Sequence, residues 1–160
     1  MVSNLIAFFC MIQRKHSDFF ERLTQDIAKL FAVLIGKDIN EVEKELDQAY
    51  NEWLKLDRKS LDEIDSEELL PTLLDEMQLD VDHIEVLANL FAEEGKLYFK
   101  EKQFLKSKNK LEKALKLFDF VDQEKQIFSF ERQATLQKIK NIISEIEPNY
   151  KNDNKKNDLR

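Results

Sequence analysis

The residues best suited to chemistry in this 160-residue chain lie around His83, which Asp80, Asp82 and Glu85 flank. Asp80-x2-His83 is close to the Glu-x2-His step with which helical bundles bind di-iron centres. Such centres use the step twice and add two further inward glutamates, whereas the other histidine, His16, has no acidic residue at this spacing. We therefore interpret His83 as part of a solvated helix N-terminus, and we expect neither a metal nor a cofactor.

Lys106, Lys110 and Lys113 recur at i, i+4 and i+7 and predict a basic ridge on one face of a helix. Such a ridge suits phosphates or an acidic partner. Arginine is scarce, however, and the alternation of aromatic and basic residues typical of single-strand binders is missing. We interpret the ridge as a solvated helix face and expect no nucleic-acid partner. On this interpretation Lys110→Ala leaves stability nearly unchanged.

The composition favours an all-α fold, because two Gly and two Pro in 160 residues leave few of the residues that tight turns require. Cys10 is the only cysteine, which excludes an internal disulfide and a cysteine zinc site and favours the cytoplasm. The longest uncharged run, residues 1–13, is shorter than the roughly 20 residues of a membrane span. Charge is segregated, with 19 acidic and 4 basic residues in 38–94 against 10 and 16 in 95–160.

Apolar residues at the helical period predict an N-terminal hairpin. Asp18 is a candidate cap for a first helix that ends at Gly36, and upstream residues can extend it. Asn40 begins a second helix that ends at about Leu56. Because only residues 37–39 separate these helices, we expect them to be antiparallel.

The next segment, residues 57–80, is less regular. Ser60 is a candidate cap of one short helix, and Ser66 or Asp65 of a second. Pro71 should kink or shorten the second helix, because proline lacks the backbone N–H that a helix interior uses.

A second hairpin and a closing helix follow. Asp80 caps a helix that runs to about Lys102, and its partner runs to about Phe120. Phe128 and Phe130 lie on the next connector, where they are suited to docking on a neighbouring subunit. A last helix presents apolar residues at i, i+3, i+7 and i+10, namely Leu136, Ile139, Ile143 and Ile146.

The chain therefore divides into three segments. Residues 1–17 form an N-terminal extension, residues 18–147 a single helical domain, and residues 148–160 a disordered tail that follows the end of the last helix at Pro148. Met11 leaves two alternatives open. Either translation starts there and the preceding apolar residues are spurious, or those residues form a tail that packs on the bundle or on a second subunit.

The most informative spacing is Phe91-x2-Glu94-Gly95-x2-Tyr98, followed by Ser107-x3-Leu111-x2-Ala114. A glycine inside a helix costs about 1 kcal/mol relative to alanine, so in a chain with two glycines it calls for a packing reason. Small residues allow two helix axes to approach closely. We predict that these six residues, with Gly95 at the crossing, pack the second hairpin.

Residues 88–121 resemble a tetratricopeptide repeat, whose pattern is W-x2-L-G-x2-Y, then A-x3-F, then P. Glu94 and Ser107 depart from the usual Leu and Ala, and no proline follows near Asp119. The resemblance implies a concave partner-binding face, and the alternative is that the leading helices cover this face. The residues that it assigns to this groove are Asn89, Ala92, Lys96 and Phe99.

The whole order also resembles a family of small bacterial all-helical proteins that carry a domain of unknown function. Three segments support the likeness: LFAVLIGK at 30–37, KELDQAYNEWL at 44–54 and LDRKSLDEIDSEELL at 56–70. The family's start aligns near Met11, and the resemblance implies no catalytic residues.

These observations predict an all-α fold of antiparallel helical hairpins, with an N-terminal hairpin, one tetratricopeptide-like hairpin and a closing C-terminal helix. The expected function is a non-enzymatic interaction or scaffold module that binds a protein or peptide, with a homodimer as one arrangement. The alternative is a small-molecule- or metal-binding helical bundle. It requires convergent polar side chains in the core, whereas the predicted inward positions are nearly all apolar.

Overall fold

The computed structural model describes the backbone of residues 2–157 and the side chains of residues 18–149 and 151. Over this part of the chain the fold is all-helical and contains no strand, which confirms the predicted class. The helices are α1 (Val2–Leu34), α2 (Ile39–Leu54), α3 (Arg58–Glu63), α4 (Ser66–Pro71), α5 (Val81–Lys100), α6 (Phe104–Lys125) and α7 (Phe130–Asn157).

The helices of the first half begin at aspartates. The Asp38 carboxylate accepts the Asn40 N–H at 2.9 Å, and the Asp57 carboxylate accepts the Ser60 N–H at 3.3 Å. Asn40 and Ser60 therefore lie inside the helices that they were predicted to cap, because a preceding aspartate is the better-placed acceptor. Asp65 is the N-cap residue of α4, one of the two alternatives left open.

The first helix begins at Val2 rather than near Asp18, so it includes the upstream extension that the sequence left open. It ends at Leu34, and Gly36 follows with φ +86°, a left-handed conformation that glycine adopts without strain. The side chains of residues 1–17 lie outside the described set. The two alternatives for Met11 concern these residues, so they also lie outside the described part of the chain.

The last helix is longer than predicted. α7 runs from Phe130 to Asn157 with Pro148 inside it, so the prediction that Pro148 ends the helix is wrong. A proline removes one backbone hydrogen bond, and in this exposed stretch water can solvate the carbonyl that is left over. That residues 148–160 are disordered on their own stays a prediction, and residues 158–160 lie outside the description.

The helix type changes after Pro71. α4 ends at Pro71, and residues 72–76 continue as a π-helical turn that closes with Met77 N–H donating to Thr72 O at 3.0 Å. The predicted shortening of this helix is therefore present.

The α5–α6 pair forms the centre of the molecule, and these two helices lie side by side over most of their length. α1 packs on α5, α4 packs on α6, and α7 packs on both α5 and α6. One continuous apolar core extends from Leu23 on α1 to Ile146 on α7. α1 approaches α5 more extensively than it approaches α2, so the grouping into two hairpins stays a prediction.

Candidate functional site

The predicted packing residues lie at the contact between α5 and α6. The Ser107 hydroxyl donates to the Gly95 carbonyl at 2.7 Å, and Ala114 is fully buried nearby along α6. A Cβ atom on Gly95 would lie 2.5 Å from Leu111 Cγ. The Leu111 side chain therefore fills the space beside Gly95, and a side chain at position 95 would have to displace it.

The predicted partner-binding residues divide between the core and an open surface. Ala92 is buried, and Asn89 is half-buried with its side-chain amide donating to the Glu85 carbonyl at 2.9 Å. Lys96 and Phe99 line a cavity of 770 Å³ between the C-terminal half of α1, the start of α2, the end of α5 and part of α7. We call this cavity the α1–α5 groove.

The α1–α5 groove is largely apolar. Two of its lysines are paired, since Lys96 contacts Glu93 at 2.6 Å and Lys37 contacts Glu45 at 2.5 Å. Lys100 and Glu101 also contribute charge to the lining. The hydrogen bond to Glu45 raises the pKa of Lys37. The apolar lining continues onto the outer surface at Ile35, which is 62% exposed. Its main apolar members are Ala28, Phe31, Ala32, Ile35, Leu97 and Phe99.

A buried cluster of ionisable side chains lies on another side of α5, and we call it the Glu94 cluster. It consists of Glu94, Tyr50, Arg58, Tyr98 and Lys110, all nearly inaccessible to solvent. Glu94 accepts a short hydrogen bond from the Tyr50 hydroxyl and a 2.9 Å hydrogen bond from Arg58, and it lies 3.1 Å from Lys110 Nζ. One carboxylate thus links α2, α3 and α6 to α5.

Two carboxylates nearer the surface also pair with the cations of the cluster. Asp47 accepts from Arg58 Nε at 2.6 Å, and Asp62 lies 2.5 Å from Lys110 Nζ. Lys110 also lies 4.7 Å above the Phe91 ring, a cation–π contact. The buried cations are therefore compensated, as buried charges must be.

Burial and neighbouring charges together determine the protonation of this cluster. Burial raises the pKa of Tyr50 well above its usual value and that of Tyr98 to about 12, and Glu94 adds to both shifts. Burial alone would lower the pKa of Arg58, but Glu94 and Asp47 outweigh burial and raise it. Both tyrosines therefore stay neutral donors at physiological pH, while Arg58 stays charged.

The predicted basic ridge is wrong for two of its three lysines. Lys110 and Lys113 are buried, at 3% and 1% exposure, and only Lys106 is exposed. The Lys113 ammonium donates to the Leu61 and Asp62 carbonyls near the end of α3, at 3.1 and 3.2 Å. The helical spacing was correct, but α3 covers this face of α6, which a periodicity within α6 cannot reveal.

Sequence reasoning treated Glu94 only as a departure from the repeat pattern and missed its partners. Tyr50 and Arg58 lie 44 and 36 residues earlier in the chain, so no local spacing connects them to it. The signal available in the sequence was the position at which Glu94 stands. A glutamate where an apolar residue is usual, beside the close contact at Gly95, is expected to be buried and therefore paired.

A second group of ion pairs attaches the start of α7. Arg132 donates to Glu85 at 3.0 Å, to the Ile127 carbonyl at 2.7 Å and to Asp122. Lys125 pairs with Asp82 at 2.7 Å and with Glu85. These contacts join the ends of α5, α6 and α7.

His83 lies in the first turn of α5. The Asp80 carboxylate accepts the His83 backbone N–H at 2.9 Å, as predicted, and lies 2.7 Å from its imidazole Nδ1. The imidazole also packs edge-on against the Phe20 ring at 5.3 Å. Among the described residues, no group of three or more His, Cys, Asp and Glu side chains is arranged to hold a metal ion.

Phe128 and Phe130 project from the corner between α6 and α7. They are 65% and 83% exposed, and their rings contact each other edge-on at 4.7 Å. Ile127 beside them is also largely exposed, so this corner presents three adjacent apolar side chains.

Comparisons with protein-family models, with curated proteins and with solved structures find no significant match to this chain. Within the part of the chain that the structure describes, no helix combines the length and the apolar character needed to cross a membrane.

Proposed function

We propose that this protein is a non-enzymatic helical module that binds a polypeptide partner in the α1–α5 groove. The observation that supports this proposal most strongly is the 770 Å³ apolar volume beside Lys96 and Phe99, which continues outward over Ile35. A groove with an apolar floor and an exposed apolar edge suits an amphipathic helix, whose large side chains enter the groove while its backbone stays outside.

The charges near the groove indicate the chemistry of the partner. Lys96 and Lys37 carry positive charge, and Glu93 and Glu45 carry negative charge close to them. Such an edge suits an amphipathic segment that has both acidic and basic residues next to its apolar face. An enzyme would instead require polar groups that converge inside the cavity, and the interior of this groove is apolar.

The protein acts in the cytoplasm, in line with its single cysteine, Cys10. Residues 88–121 serve as one tetratricopeptide-like unit of a bacterial interaction protein. The exposed rings of Phe128 and Phe130 form the contact of a homodimer.

The second candidate function is the binding of an apolar small molecule in the same groove. Its volume supports this alternative, because 770 Å³ falls within the roughly 300–1,000 Å³ of typical ligand pockets. A molecule with a long apolar chain is the class that such a lining would accept.

The test uses a photo-crosslinking amino acid at Ile35 in the full chain, with the same amino acid at exposed Ala134 on α7 as the matched control. We expect a specific peptide adduct at position 35 alone. Ala32→Trp, which fills the groove without changing charge, should abolish the adduct, and Ala134→Trp should not. Light scattering of Phe130→Ser against wild type tests the homodimer.

The outcomes separate the two candidates. An adduct that maps to one amphipathic segment and disappears with Ala32→Trp supports the polypeptide partner. A bound apolar molecule that native mass spectrometry detects in wild type but not in Ala32→Trp supports the alternative. Equal crosslinking at positions 35 and 134, with no such molecule, contradicts both.

A further inference from the structure

A second cavity, of 360 Å³, opens beside the Glu94 cluster, and we call it the α3–α6 pocket. It lies between α2, α3, the end of α5 and the start of α6, and it shares no lining residue with the α1–α5 groove. Tyr98, Arg58 and Lys110 of the Glu94 cluster form part of its wall. The cavity therefore joins the buried charges to the surface independently of the proposed partner groove.

Cationic side chains outnumber carboxylates in the lining of this pocket. Two of the cations that line it, Arg58 and Lys110, are compensated by Glu94 together with Asp47 or Asp62. The other two cations lie closer to solvent. The lining contains four cationic and two acidic side chains, namely Arg58, Lys59, Lys106 and Lys110 against Glu43 and Asp62.

The two outer lysines are paired less closely than Arg58 and Lys110. Lys59 is exposed and has no ion pair within the described side chains. Lys106 is more than half exposed, and its nearest carboxylate, Glu43, lies 3.7 Å away. Its ammonium also lies 5.4 Å above the Tyr98 ring. Lys59 and Lys106 thus line one pocket, and the ion pair that the structure gives them is the 3.7 Å contact between Lys106 and Glu43.

Two neutral donors lie in the same wall. The Tyr98 hydroxyl accepts a hydrogen bond from Arg58 at 3.3 Å, and among the described residues it donates to no acceptor. Burial raises the pKa of Tyr98 to about 12, so the hydroxyl keeps its proton at neutral pH. Asn109 is exposed, and its side-chain amide has no hydrogen bond to another described residue.

We infer that the α3–α6 pocket binds a small organic anion, either a carboxylate or a phosphate monoester. Its oxygens accept from the Tyr98 hydroxyl and the Asn109 amide, and Lys59 and Lys106 supply the opposite charge. Leu105, which is 67% exposed beside the pocket, contacts the apolar part of the ligand. The volume of 360 Å³ limits the ligand to a small molecule.

The Glu94 cluster gives this site a rigid wall. Arg58 is held by Asp47 and Glu94, and it in turn holds the Tyr98 hydroxyl, so the hydroxyl oxygen occupies a fixed place before the ligand arrives. A preorganised donor binds an anion with a smaller loss of conformational entropy than a mobile side chain. This arrangement also gives the buried charges a role beyond joining helices.

In the experiment, phenyl phosphate and, separately, phenylacetate are titrated into the full chain. Backbone amide NMR records the chemical shifts. We expect saturable shifts around residues 59, 98, 106 and 109. The double variant Lys59→Ala/Lys106→Ala should raise the Kd for the tighter probe at least about tenfold. Lys138→Ala/Lys140→Ala, which removes the same charge from exposed positions on α7, should leave the Kd unchanged.

Further measurements separate a loss of binding from a loss of stability. The unfolding midpoint of Lys59→Ala/Lys106→Ala should match that of wild type, since both side chains are exposed. The tighter of the two probes identifies the anion as a phosphate or a carboxylate. Leu105→Ala should weaken both aromatic probes but not inorganic phosphate. No saturable binding of either probe up to about 10 mM, or equal weakening by the two double variants, would overturn the inference.

Discussion

Glu94 and Gly95 are consecutive residues of α5 whose buried surroundings differ in almost every physical respect. Gly95 faces Leu111 and Ser107, where contact with α6 depends on the absence of a side chain. Glu94 faces Tyr50, Arg58 and Lys110, where contact depends on the balance of charge. A steric misfit can relax through small shifts of neighbouring atoms, whereas a buried charge without a partner cannot. We therefore expect stability to depend more strongly on Glu94.

The largest expected effect is that of Glu94→Leu, which replaces the buried carboxylate by an apolar side chain. It leaves Arg58 and Lys110 buried with fewer opposite charges, and we expect it to lower the free energy of unfolding by about 3–5 kcal/mol. Urea denaturation measures this change. Glu112→Leu, at an exposed position of α6, is the control and should cost much less. Equal losses in the two variants would remove the distinction between the two faces of α5.

Lys110→Ala tests the same face from α6, and here the structure reverses the prediction from sequence. Lys110 is buried and pairs with Asp62 and Glu94, so we expect a loss of about 2–3 kcal/mol rather than a neutral effect. The loss is smaller than for Glu94→Leu, because Arg58 still compensates Glu94. Lys108→Ala on the same helix is the control, since Lys108 has a weak surface pair with Glu112. A loss as small as that of the control would contradict the buried pairing.

The features that could be predicted from sequence are those that depend on local order along the chain. Periodicity identified the helices, and Asp80 was recognised as a cap because its partner, His83, lies three residues later. Helix ends were harder to predict. The ends at Val2 and Asn157 depend on whether a helix continues through a polar or proline-containing segment. Local helix propensity is a weak guide to this.

The candidate sites show the same limit. Gly95 was noticeable because glycine is rare in this chain, and its role concerns one neighbouring helix. Predicting the Glu94 cluster would have required knowing which helix covers α5 and α6 on this side. Arg58 reaches Glu94 from α3, 36 residues earlier in the chain. A lysine on a helical ridge looks the same in sequence whether α3 covers it, as at Lys113, or water does, as at Lys106.

Gly95→Leu measures the steric face of α5, with an intermediate expected effect. The new side chain must displace Leu111, and we expect a loss of about 1–3 kcal/mol in urea denaturation. Adding Leu111→Ala should restore part of this loss, because it opens space where the clash occurs. Ala134→Leu on exposed α7 is the matched control and should be nearly neutral. If Gly95→Leu were equally neutral, the close contact between α5 and α6 would not depend on the glycine.

The smallest expected effect concerns pH and the Tyr98 hydroxyl, which belongs to the charged face. Burial, with a further contribution from Glu94, raises the pKa of Tyr98 from 10.0 to about 12 in the folded protein. Below pH 10 the folded and unfolded chains both keep this proton, so the contribution to stability is complete. Between pH 10 and about 12 the unfolded chain loses the proton first, so the free energy of unfolding falls as the pH rises.

Tyr98→Phe removes this titration and should make the fall in stability between about pH 9 and about pH 11 shallower than in wild type. Urea denaturation at both pH values measures the two slopes, and the difference at about pH 7 gives the cost of the lost hydrogen bond with Arg58. Tyr50, Lys37 and Lys125 also have raised pKa values and lower the stability of both proteins in this range, so only the difference between slopes reports on Tyr98. Identical slopes would mean that the hydroxyl ionises as easily in the folded chain as in the unfolded one, which a site buried beside Glu94 does not allow.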